Sequence, residues 1–225
     1  MKDILMRPIA RIRTDFPDKF GIPRQSGLIE ELRGTVVFEP EYRNPDALRG
    51  LEGFSHIWLI WQFSEAVREE WSPTVRPPRL GGNTRMGVFA TRSPFRPNAI
   101  GLSSVKLEEI RETENGTVLI VSGADLMDGT PILDIKPYLP FTDSHPDASG
   151  GFAEPVRAYA LDVVCDPSLT AAMSDEQRQA LFGVLAHDPR PSYQNDPTRV
   201  YGLSFAEYEV KFSVDGERLT VLSIE

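Results

Sequence analysis

The sequence contains a single cysteine, Cys165, among 225 residues. An internal disulfide is therefore excluded, and so few thiols are typical of a protein from a reducing compartment. No apolar run approaches the roughly 20 residues that a transmembrane helix needs. The longest run, at 57–61, ends at Gln62. The first residues, MKDILMRPIARIRT, lack the apolar core of a signal peptide. We therefore expect a cytoplasmic protein without a membrane anchor.

Positively charged residues are fewer than negatively charged ones, since the sequence has 24 Lys and Arg and 33 Asp and Glu, which gives a net charge of -9. This balance argues against a protein that coats nucleic acid without specificity. The charge is uneven, however, because the segment from Arg68 to Arg96 has six arginines and two acidic residues, Glu69 and Glu70. A local basic patch on an acidic body is typical of a limited contact with an anion or an RNA loop.

Common catalytic signatures are missing as well. The sequence has no phosphate-binding GxxxxGK[ST] loop and no GxGxxG, GxSxG, HExxH or CxxC pattern. The three histidines, His56, His145 and His187, are spaced in no metal-binding pattern, so we expect no metal site. We interpret His56, which lies in an apolar segment, as a core histidine, and Cys165 as a small buried hydrophobic residue.

Short strand patterns separated by turn residues fill the first two thirds of the chain. We predict strands at 4–13, 34–38, 55–63, 101–109, 117–123 and 131–136, and a helical turn at 44–49. Asn115-Gly116 predicts a hairpin, and segment 55–63 is apolar on both faces, which predicts a strand buried on both sides. Repeated strands without long helices favour a closed or nearly closed β-barrel over a doubly wound α/β sheet.

The composition becomes linker-like at 146–151, and a different pattern follows. We predict a strand at 156–165, a helix at 174–187 that begins with a capping box of Ser174 and Gln177, and a hairpin of 208–214 and 218–224. The fold prediction is thus mainly β: a β-barrel body in residues 1–150 and a small C-terminal α+β appendage in residues 151–225.

The segment 81–102 combines arginines with glycines and prolines and contains no acidic residue. Arginines held between such turns form a stiff receptor for carboxylate or phosphate groups. The apolar stretch 86–90 ties this arginine loop to a packed part of the protein. A solvated loop with incidental charge is the alternative interpretation.

Three further polar clusters lie beside turns, at 23–25, 125–130 and 134–138. The second places two carboxylates on one tight turn. In the third, Asp134 and Lys136 share a strand face and Tyr138 follows. A β-turn and a surface ion pair explain the last two clusters taken singly. With the arginine loop these make four polar clusters in one small barrel, and we therefore expect them to line a single cleft.

The same clusters carry a resemblance to a known family. Segments 23–28 (PRQSGL), 49–63, 71–103 and 125–141 resemble the TrmO-type tRNA N6-methyltransferases, and 185–194 (LAHDPRPSYQ) extends the similarity into the appendage. The resemblance implies a homodimeric enzyme whose S-adenosylmethionine-binding catalytic domain is a β-barrel. It also implies methylation of N6 of threonylcarbamoyl-adenosine at position 37, beside the anticodon of a threonine tRNA.

The resemblance also implies a set of cofactor-binding residues, which lie in turns or at strand ends: Pro23, Arg24, Gln25, Phe63, Ser64, Arg92, Leu102, Asp125, Leu126, Met127 and Asp128. An arginine can hold the methionine carboxylate with two hydrogen bonds, and Asp128 can accept from the ribose diol. Phe63 and Leu102 can flank the adenine ring. Ser64 stands where some relatives have histidine, which argues against a chemical role for the side chain at 64, whereas a backbone contact would survive the change.

Methyl transfer from a sulfonium is an in-line displacement, and positioning supplies much of its rate. Asp134 is our candidate for the group that accepts the N–H proton, with Lys136 and Tyr138 shaping its charge. Asn98 is an alternative group for orienting that N–H. Arg96 is the candidate partner of the threonyl carboxylate.

Contact with RNA is predicted for the basic segment before the arginine loop. Arg76, Arg79 and Arg85 supply charge, and Trp71 supplies a stacking surface. The region of Arg190 and Tyr193 in the appendage is a second candidate contact with the tRNA. The rival hypotheses are a non-catalytic module that binds adenosyl ligands or RNA, a methyltransferase for another acceptor, and a structural dimeric barrel.

Overall fold

The computed structural model describes residues 4–77, 80, 83–156, 160–190 and 196–225. In chain order their strands are β1 (Ala10–Thr14), β2 (Arg33–Phe38), β3 (His56–Gln62), β4 (Thr74–Val75), β5 (Met86–Gly87), β6 (Ile100–Thr113), β7 (Gly116–Ser122), β8 (Pro131–Pro137), β9 (Asp162–Val164), β10 (Tyr201–Phe205), β11 (Tyr208–Asp215) and β12 (Arg218–Ile224). The α-helices are α1 (Pro140–Asp143) and α2 (Asp175–Ala186). Short 3₁₀ turns connect several of the strands.

Six strands close into an antiparallel barrel in the order β1-β2-β7-β6-β3-β8, and β8 pairs back onto β1. Their inward side chains alternate with outward ones and form one apolar core, which contains Ile12, Val36, Ile57, Leu119 and Ile132. The predicted helical turn is a 3₁₀ turn at Pro45–Leu48, where the Asn44 side chain accepts a hydrogen bond from the amide of Asp46.

Strand β3 lies between β6 and β8 in the barrel, and only one of its faces is buried. Ile57, Leu59 and Trp61 point into the core, whereas Trp58 and Ile60 on the outer face are partly exposed. The prediction of a strand buried on both faces was therefore wrong. An antiparallel barrel covers only the inner face of its strands. Trp58 and Ile60 on the outer face are large and apolar, so segment 55–63 has the apolar pattern of a strand that is buried on both faces.

The long β6–β7 hairpin is confirmed, with its turn one residue earlier than predicted. Glu114 and Asn115 form the two-residue turn, and Thr113 pairs with Gly116. Gly116 has φ of +103°, a conformation that costs glycine little.

The C-terminal residues form a second unit, in which a four-stranded sheet of order β10-β11-β12-β9 packs with α2. The predicted capping box is present, because Ser174 and the side chain of Gln177 each bind the other's backbone amide. The core of this unit also includes Phe16, Ile29 and Leu32 from the segment between β1 and β2. The proposed division into 1–150 and 151–225 therefore does not follow the two cores strictly, because these three residues precede residue 151 and yet pack in the C-terminal core.

Two local predictions differ from the structure. Residues before β1 are not in a strand, since Ile4 and Leu5 are 89% and 84% exposed and Pro8 has no N–H for a ladder. The strand predicted at 156–165 is shorter in the structure, where only β9 is a strand. Residues 151–156 form a 3₁₀ turn, and β9 pairs with β12 over three residues. Residues 157–159 lie outside the described residues.

Two single-residue interpretations also change. His56 is exposed at the start of β3, with its Nδ1 3.0 Å from Ser55 Oγ, so it is not a core histidine. Cys165 is partly buried against the C-terminal core, and burial raises the pKa of its thiol. The mainly β fold class, with a barrel body and an α+β appendage, is confirmed. None of the described helices is long and apolar enough to cross a membrane.

Candidate active site

The turn at 125–129 is fixed against the end of β1. Asp128 Oδ1 accepts from the amide of Thr14 at 3.1 Å, and Oδ2 accepts from Arg13 Nη1 at 3.2 Å. Thr14 Oγ1 donates to the carbonyl oxygen of Leu126 at 3.0 Å. Gly129, with φ of +74°, completes the tight turn. The two carboxylates of this turn are therefore held on a rigid support.

The loop that contains Pro23, Arg24 and Gln25 lies directly beside this turn. The amide of Gly27 donates to the carbonyl oxygen of Gly123 at 2.9 Å. Both glycines have φ of +74°, and a Cβ on Gly123 would lie 3.1 Å from Gly27 Cα. The two backbones can approach this closely because residue 123 has no side chain.

The arginine loop joins the same region through Arg92, whose Nη1 donates to the side-chain oxygen of Gln25, 67 residues earlier in the chain. The loop is anchored by Val88, which is buried, and by the Thr91 hydroxyl, which donates to the carbonyl oxygen of Val88 at 2.9 Å. The exposed guanidinium of Arg92 is therefore tied to a packed segment, as the apolar stretch in the sequence predicted.

Apolar surfaces complete this region. Phe63 packs on Trp61, with ring centroids 4.2 Å apart, and its amide donates to the carbonyl oxygen of Ala99 at 2.8 Å. Leu102 lies on the outer face of β6 and is 54% exposed. Ser64 is exposed at the start of a 3₁₀ turn.

Asp125 is a partly buried carboxylate whose pKa is shifted by its surroundings. Burial raises its pKa, and the hydrogen bond from Ser103 opposes this rise. The backbone amides of Asp125 and Ser26 and the positive charge of Arg92 also oppose it. Perturbed carboxylates beside an arginine are common in binding and catalytic sites.

The predicted cofactor residues therefore lie on segments that contact one another around Asp125. Leu126 differs from the others, since its side chain is 1% exposed and belongs to the barrel core. Only its backbone can face a ligand. Met127 is partly exposed, and its carbonyl oxygen accepts from the amide and hydroxyl of Thr130.

The candidate catalytic residues lie on the outer barrel face and in the arginine loop. Asp134 Oδ2 is 3.1 Å from Lys136 Nζ, as their shared strand face predicted, and Oδ1 accepts from the amide of Ile135 at 2.9 Å. The Tyr138 ring packs on Trp58, with centroids 5.5 Å apart. Asn98 is exposed.

The candidate substrate arginines line two grooves. Arg96 lines a groove of about 360 Å³ together with Trp71 and with Arg68, whose guanidinium lies 3.8 Å from the Phe95 ring centre. Arg76, directly after β4, and Arg85, directly before β5, line a neighbouring groove of about 140 Å³. Arg79 and Tyr193 lie outside the described residues.

Arg190, which the sequence analysis names with Tyr193 as a second candidate contact with the tRNA, is buried. It is 7% exposed, and its guanidinium pairs with Asp188 at 2.8 Å.

Comparisons with known proteins identify the family. The model of the tRNA-methyltransferase O N-terminal domain matches residues 11–144, and that of the TrmO C-terminal domain matches residues 159–225. The chain belongs to the TrmO family. The family prediction made from the sequence is thus confirmed.

Individual relatives of this TrmO-family chain cover most or all of its length. It is 40% identical over 233 residues to the Escherichia coli K12 protein named tRNA (adenine(37)-N6)-methyltransferase, covering 100% of this chain and 99% of that protein. An Eikenella corrodens protein of the same name is 52% identical over 163 residues, covering 72% of this chain and 92% of the relative. The crystal structure of TrmO from Pseudomonas aeruginosa matches with a TM-score of 0.80 and 34% identity, covering 100% of both chains.

The residues around Asp125 fit the chemistry of S-adenosylmethionine, the cofactor that the resemblance implies. The ligand has a carboxylate, an ammonium group, a ribose diol and an adenine ring. The site of this TrmO-family chain offers the guanidinium of Arg92, the carboxylates of Asp125 and Asp128, and the apolar Phe63 and Leu102. The carboxylate, the ammonium group and the ribose diol of the ligand thus each have a candidate partner of opposite hydrogen-bonding character.

The described residues of this TrmO-family chain contain no group of three or more His, Cys, Asp or Glu side chains that could hold a metal ion. The sequence reasoning missed two polar residues of the site, Ser103 and Trp61, which hydrogen-bond to each other at 2.9 Å. The signal was present, because alternation along β6 places Ser103 on the inward face between Gly101 and Val105. A polar side chain at such a position needs a partner.

Proposed function

We propose that this chain transfers a methyl group from S-adenosylmethionine to N6 of the adenosine at position 37 of a tRNA. The observation that carries the proposal is the convergence of loop 23–27, Arg92 and turn 125–128 around one partly buried carboxylate, Asp125. These are the segments that resemble the cofactor-binding segments of the family. The full-length Escherichia coli relative carries this activity in its name.

When bound, S-adenosylmethionine supplies an electrophilic methyl group. Arg92 holds the methionine carboxylate, and its hydrogen bond to Gln25 keeps the guanidinium directed into the site. Asp128 accepts from the ribose diol, while Arg13 and the Thr14 amide keep its carboxylate fixed. Phe63 and Leu102 flank the adenine, since both have apolar surface beside these groups.

The finer proposal concerns the acceptor, which we propose is threonylcarbamoyl-adenosine of a threonine tRNA. Its N6 is attached to a carbonyl carbon, so its lone pair is delocalised and the N–H proton must leave as the methyl bond forms. Asp134 accepts that proton, and the Lys136 ammonium at 3.1 Å stabilises the charged carboxylate beforehand. Tyr138, whose ring packs on Trp58 with centroids 5.5 Å apart, is the second group that we propose shapes the charge of Asp134.

The strand register supports a position for Asp134 near the cofactor. Ile60 of β3 pairs with Leu102 on one side and with Asp134 on the other. Residues that pair directly share a sheet face, and two strand spacings of about 4.8 Å separate Leu102 from Asp134 by about 10 Å. That span is of the order of one nucleoside.

Arg96 is our candidate for the threonyl carboxylate, and Asn98 orients the N–H through its amide oxygen. Arg96 Nη1 donates to the carbonyl oxygen of Thr91 at 3.0 Å, which leaves other N–H groups of its fork to face a ligand. Arg76 and Arg85, and Arg79 from the sequence, contact the phosphates of the anticodon loop, and exposed Trp71 stacks on a base.

We further propose that the protein is a cytoplasmic homodimer. Four apolar side chains of segment 89–102 are 39–75% exposed: Phe89, Phe95, Ile100 and Leu102. An exposed apolar surface of this kind is typical of an interface. Sedimentation velocity tests the dimer, and a monomer at micromolar concentration would contradict it.

Nucleoside mass spectrometry tests the proposed reaction. Threonine tRNA with and without the threonylcarbamoyl group is incubated with the protein and S-adenosylmethionine, then digested. We expect a gain of one methyl group only on the modified nucleoside. Methylation of unmodified adenosine would show that the acceptor is not threonylcarbamoyl-adenosine alone. Cofactor binding without any methylation would indicate the non-catalytic binding module.

A further inference from the structure

Three side chains form a hydrogen-bonded chain from the barrel interior to the candidate cofactor site. Trp61 Nε1 donates to Ser103 Oγ at 2.9 Å, and Ser103 Oγ donates to Asp125 Oδ1 at 2.5 Å. Trp61 is 7% and Ser103 1% exposed, so water competes little with either bond. We call these three residues the Trp-Ser-Asp relay.

The direction of the relay is fixed by the chemistry of its members. An indole N–H can only donate, so the serine hydroxyl accepts from Trp61 and must direct its own proton elsewhere. That proton points to Asp125, which can accept it while ionised. The relay therefore presents a buried donor to one oxygen of the carboxylate and holds the carboxyl plane in one orientation.

We propose that Ser103 is a positioning residue for S-adenosylmethionine, which acts through Asp125 by keeping its carboxylate ionised and correctly oriented to accept from the cofactor. This inference rests on the proposed function, since it takes Asp125 as a ligand of the cofactor. Neither Ser103 nor Trp61 is among the cofactor residues that the family resemblance supplies.

The electrostatics of Asp125 explain why such a donor is needed. Burial raises the pKa of this carboxyl, and the Ser103 hydrogen bond is the largest of the contributions that lower it. The other groups that face the carboxylate are the amides of Asp125 and Ser26 and the Arg92 guanidinium. Without Ser103 the carboxyl would take up a proton at higher pH and would present an O–H where the ligand needs an acceptor.

The local packing holds Trp61 in place for this role. A Cβ on Gly101 would lie 2.2 Å from Trp61 Cε2, so the indole can lie against β6 only because residue 101 is glycine. The same indole packs on Phe63, with ring centroids 4.2 Å apart. Trp61 thus contacts Phe63 directly and is linked to Asp125 through Ser103.

The test measures binding of S-adenosylhomocysteine by calorimetry between pH 5.5 and 8.5 for four proteins: wild type, Ser103→Ala, Ser103→Thr and Trp61→Phe. We expect Ser103→Ala to bind about tenfold more weakly at pH 7, because it loses a hydrogen bond to a charged group. The deficit should grow as the pH falls. Ser103→Thr keeps the hydroxyl and should recover most of the affinity, and Trp61→Phe should show a smaller loss of the same sign.

Thr117→Val is the matched control. Thr117 is also buried, and its hydroxyl donates to Glu112 Oε1 at 2.7 Å at the far end of the same hairpin. This variant should lower the melting temperature without changing the dissociation constant or its pH dependence.

Ser103→Ala should also raise KM for S-adenosylmethionine more than it lowers kcat.

The outcomes separate the two proposals. Wild-type affinity in Ser103→Ala at every pH, while the wild type binds and methylates, would overturn the relay and leave the proposed function standing. An affinity loss that is the same at all pH values and is not recovered by Ser103→Thr would also overturn it. If Ser103→Ala does not fold, Trp61→Phe decides by the same measurement. A wild type that binds no adenosyl ligand would overturn both proposals.

Discussion

Phe16 packs edge to face on Phe205, with ring centroids 5.7 Å apart and an interplanar angle of 78°. Phe16 follows β1 of the barrel, whereas Phe205 ends β10 of the C-terminal sheet. The carbonyl oxygen of Phe16 accepts from the amide of Asp128 at 2.8 Å, and that of Asp15 accepts from Ala206 at 2.7 Å. The C-terminal sheet therefore supports the turn that carries Asp128.

The first prediction concerns this aromatic contact. Phe16 is 1% exposed, so Phe16→Ala should lower the free energy of unfolding by about 3–5 kcal/mol through lost burial and a cavity. It should also weaken binding of S-adenosylhomocysteine, because the backbone under Asp128 loses its anchor. Urea unfolding and calorimetry measure the two effects.

Phe141→Ala is the matched control for this loss. Phe141 is 83% exposed, and its replacement should change stability by no more than about 0.5 kcal/mol. Equal losses in the two variants would show that Phe16 contributes no more than a surface residue.

The second prediction concerns Arg92. Arg92→Lys keeps the charge and removes the planar fork, so binding of S-adenosylhomocysteine should weaken about tenfold or more while the melting temperature stays unchanged. Arg111→Lys tests the same replacement at an exposed ion pair with Glu109, and its affinity should equal that of the wild type. If both lysine variants bind equally well, Arg92 does not hold the ligand carboxylate.

The third prediction concerns Asp134. Asp134→Asn should lower kcat by about 10²–10⁴-fold, as expected for the loss of a general base, with cofactor affinity unchanged. Asp46→Asn is the control, since Asp46 is an exposed carboxylate paired with Arg49 away from these residues. A rate within threefold of wild type for Asp134→Asn would remove Asp134 from the mechanism.

The sequence was informative where a local pattern decides the structure. The capping box at Ser174 and the barrel strands follow from residue types within a few positions of each other. The resemblance added the cofactor segments, which local physics does not identify.

The contacts between distant segments could not be predicted. Nothing near Gln25 indicates that Arg92 will reach it, and nothing near Phe16 indicates a place in the C-terminal core. Such contacts depend on strand order and on close packing of both cores. The prediction that β3 is buried on both faces was wrong for a related reason. Trp58 and Ile60 are apolar whether or not another element covers them, so the sequence alone does not show that the outer face is partly exposed.

The fourth prediction concerns the pH dependence of stability at Glu108. Its carboxylate accepts from Ser122 Oγ at 2.7 Å and pairs with Arg33 at 2.8 Å and Lys106 at 3.1 Å. The Ser122 hydrogen bond first, and then the two cations, lower the pKa of Glu108 to about 2 against the opposing effect of burial. The folded state thus binds this proton more weakly than the unfolded chain does. The ionised form stabilises the fold above pH about 4.5, and this stabilisation is lost as the pH falls toward 2.

Glu108→Gln should therefore lower the free energy of unfolding at pH 7 by about 1–2 kcal/mol, a value reduced for the partial solvent screening of these ion pairs. The difference from wild type should shrink steadily between pH 4.5 and pH 2. Ser122→Ala should also weaken the acid dependence, because it removes the largest cause of the lowered pKa. Glu39→Gln breaks an exposed pair with Arg11 and should change stability by less than about 0.5 kcal/mol. Urea unfolding at pH 7, 4.5 and 3 measures all four proteins, and a Glu108→Gln deficit that stays constant over this range would contradict the assignment.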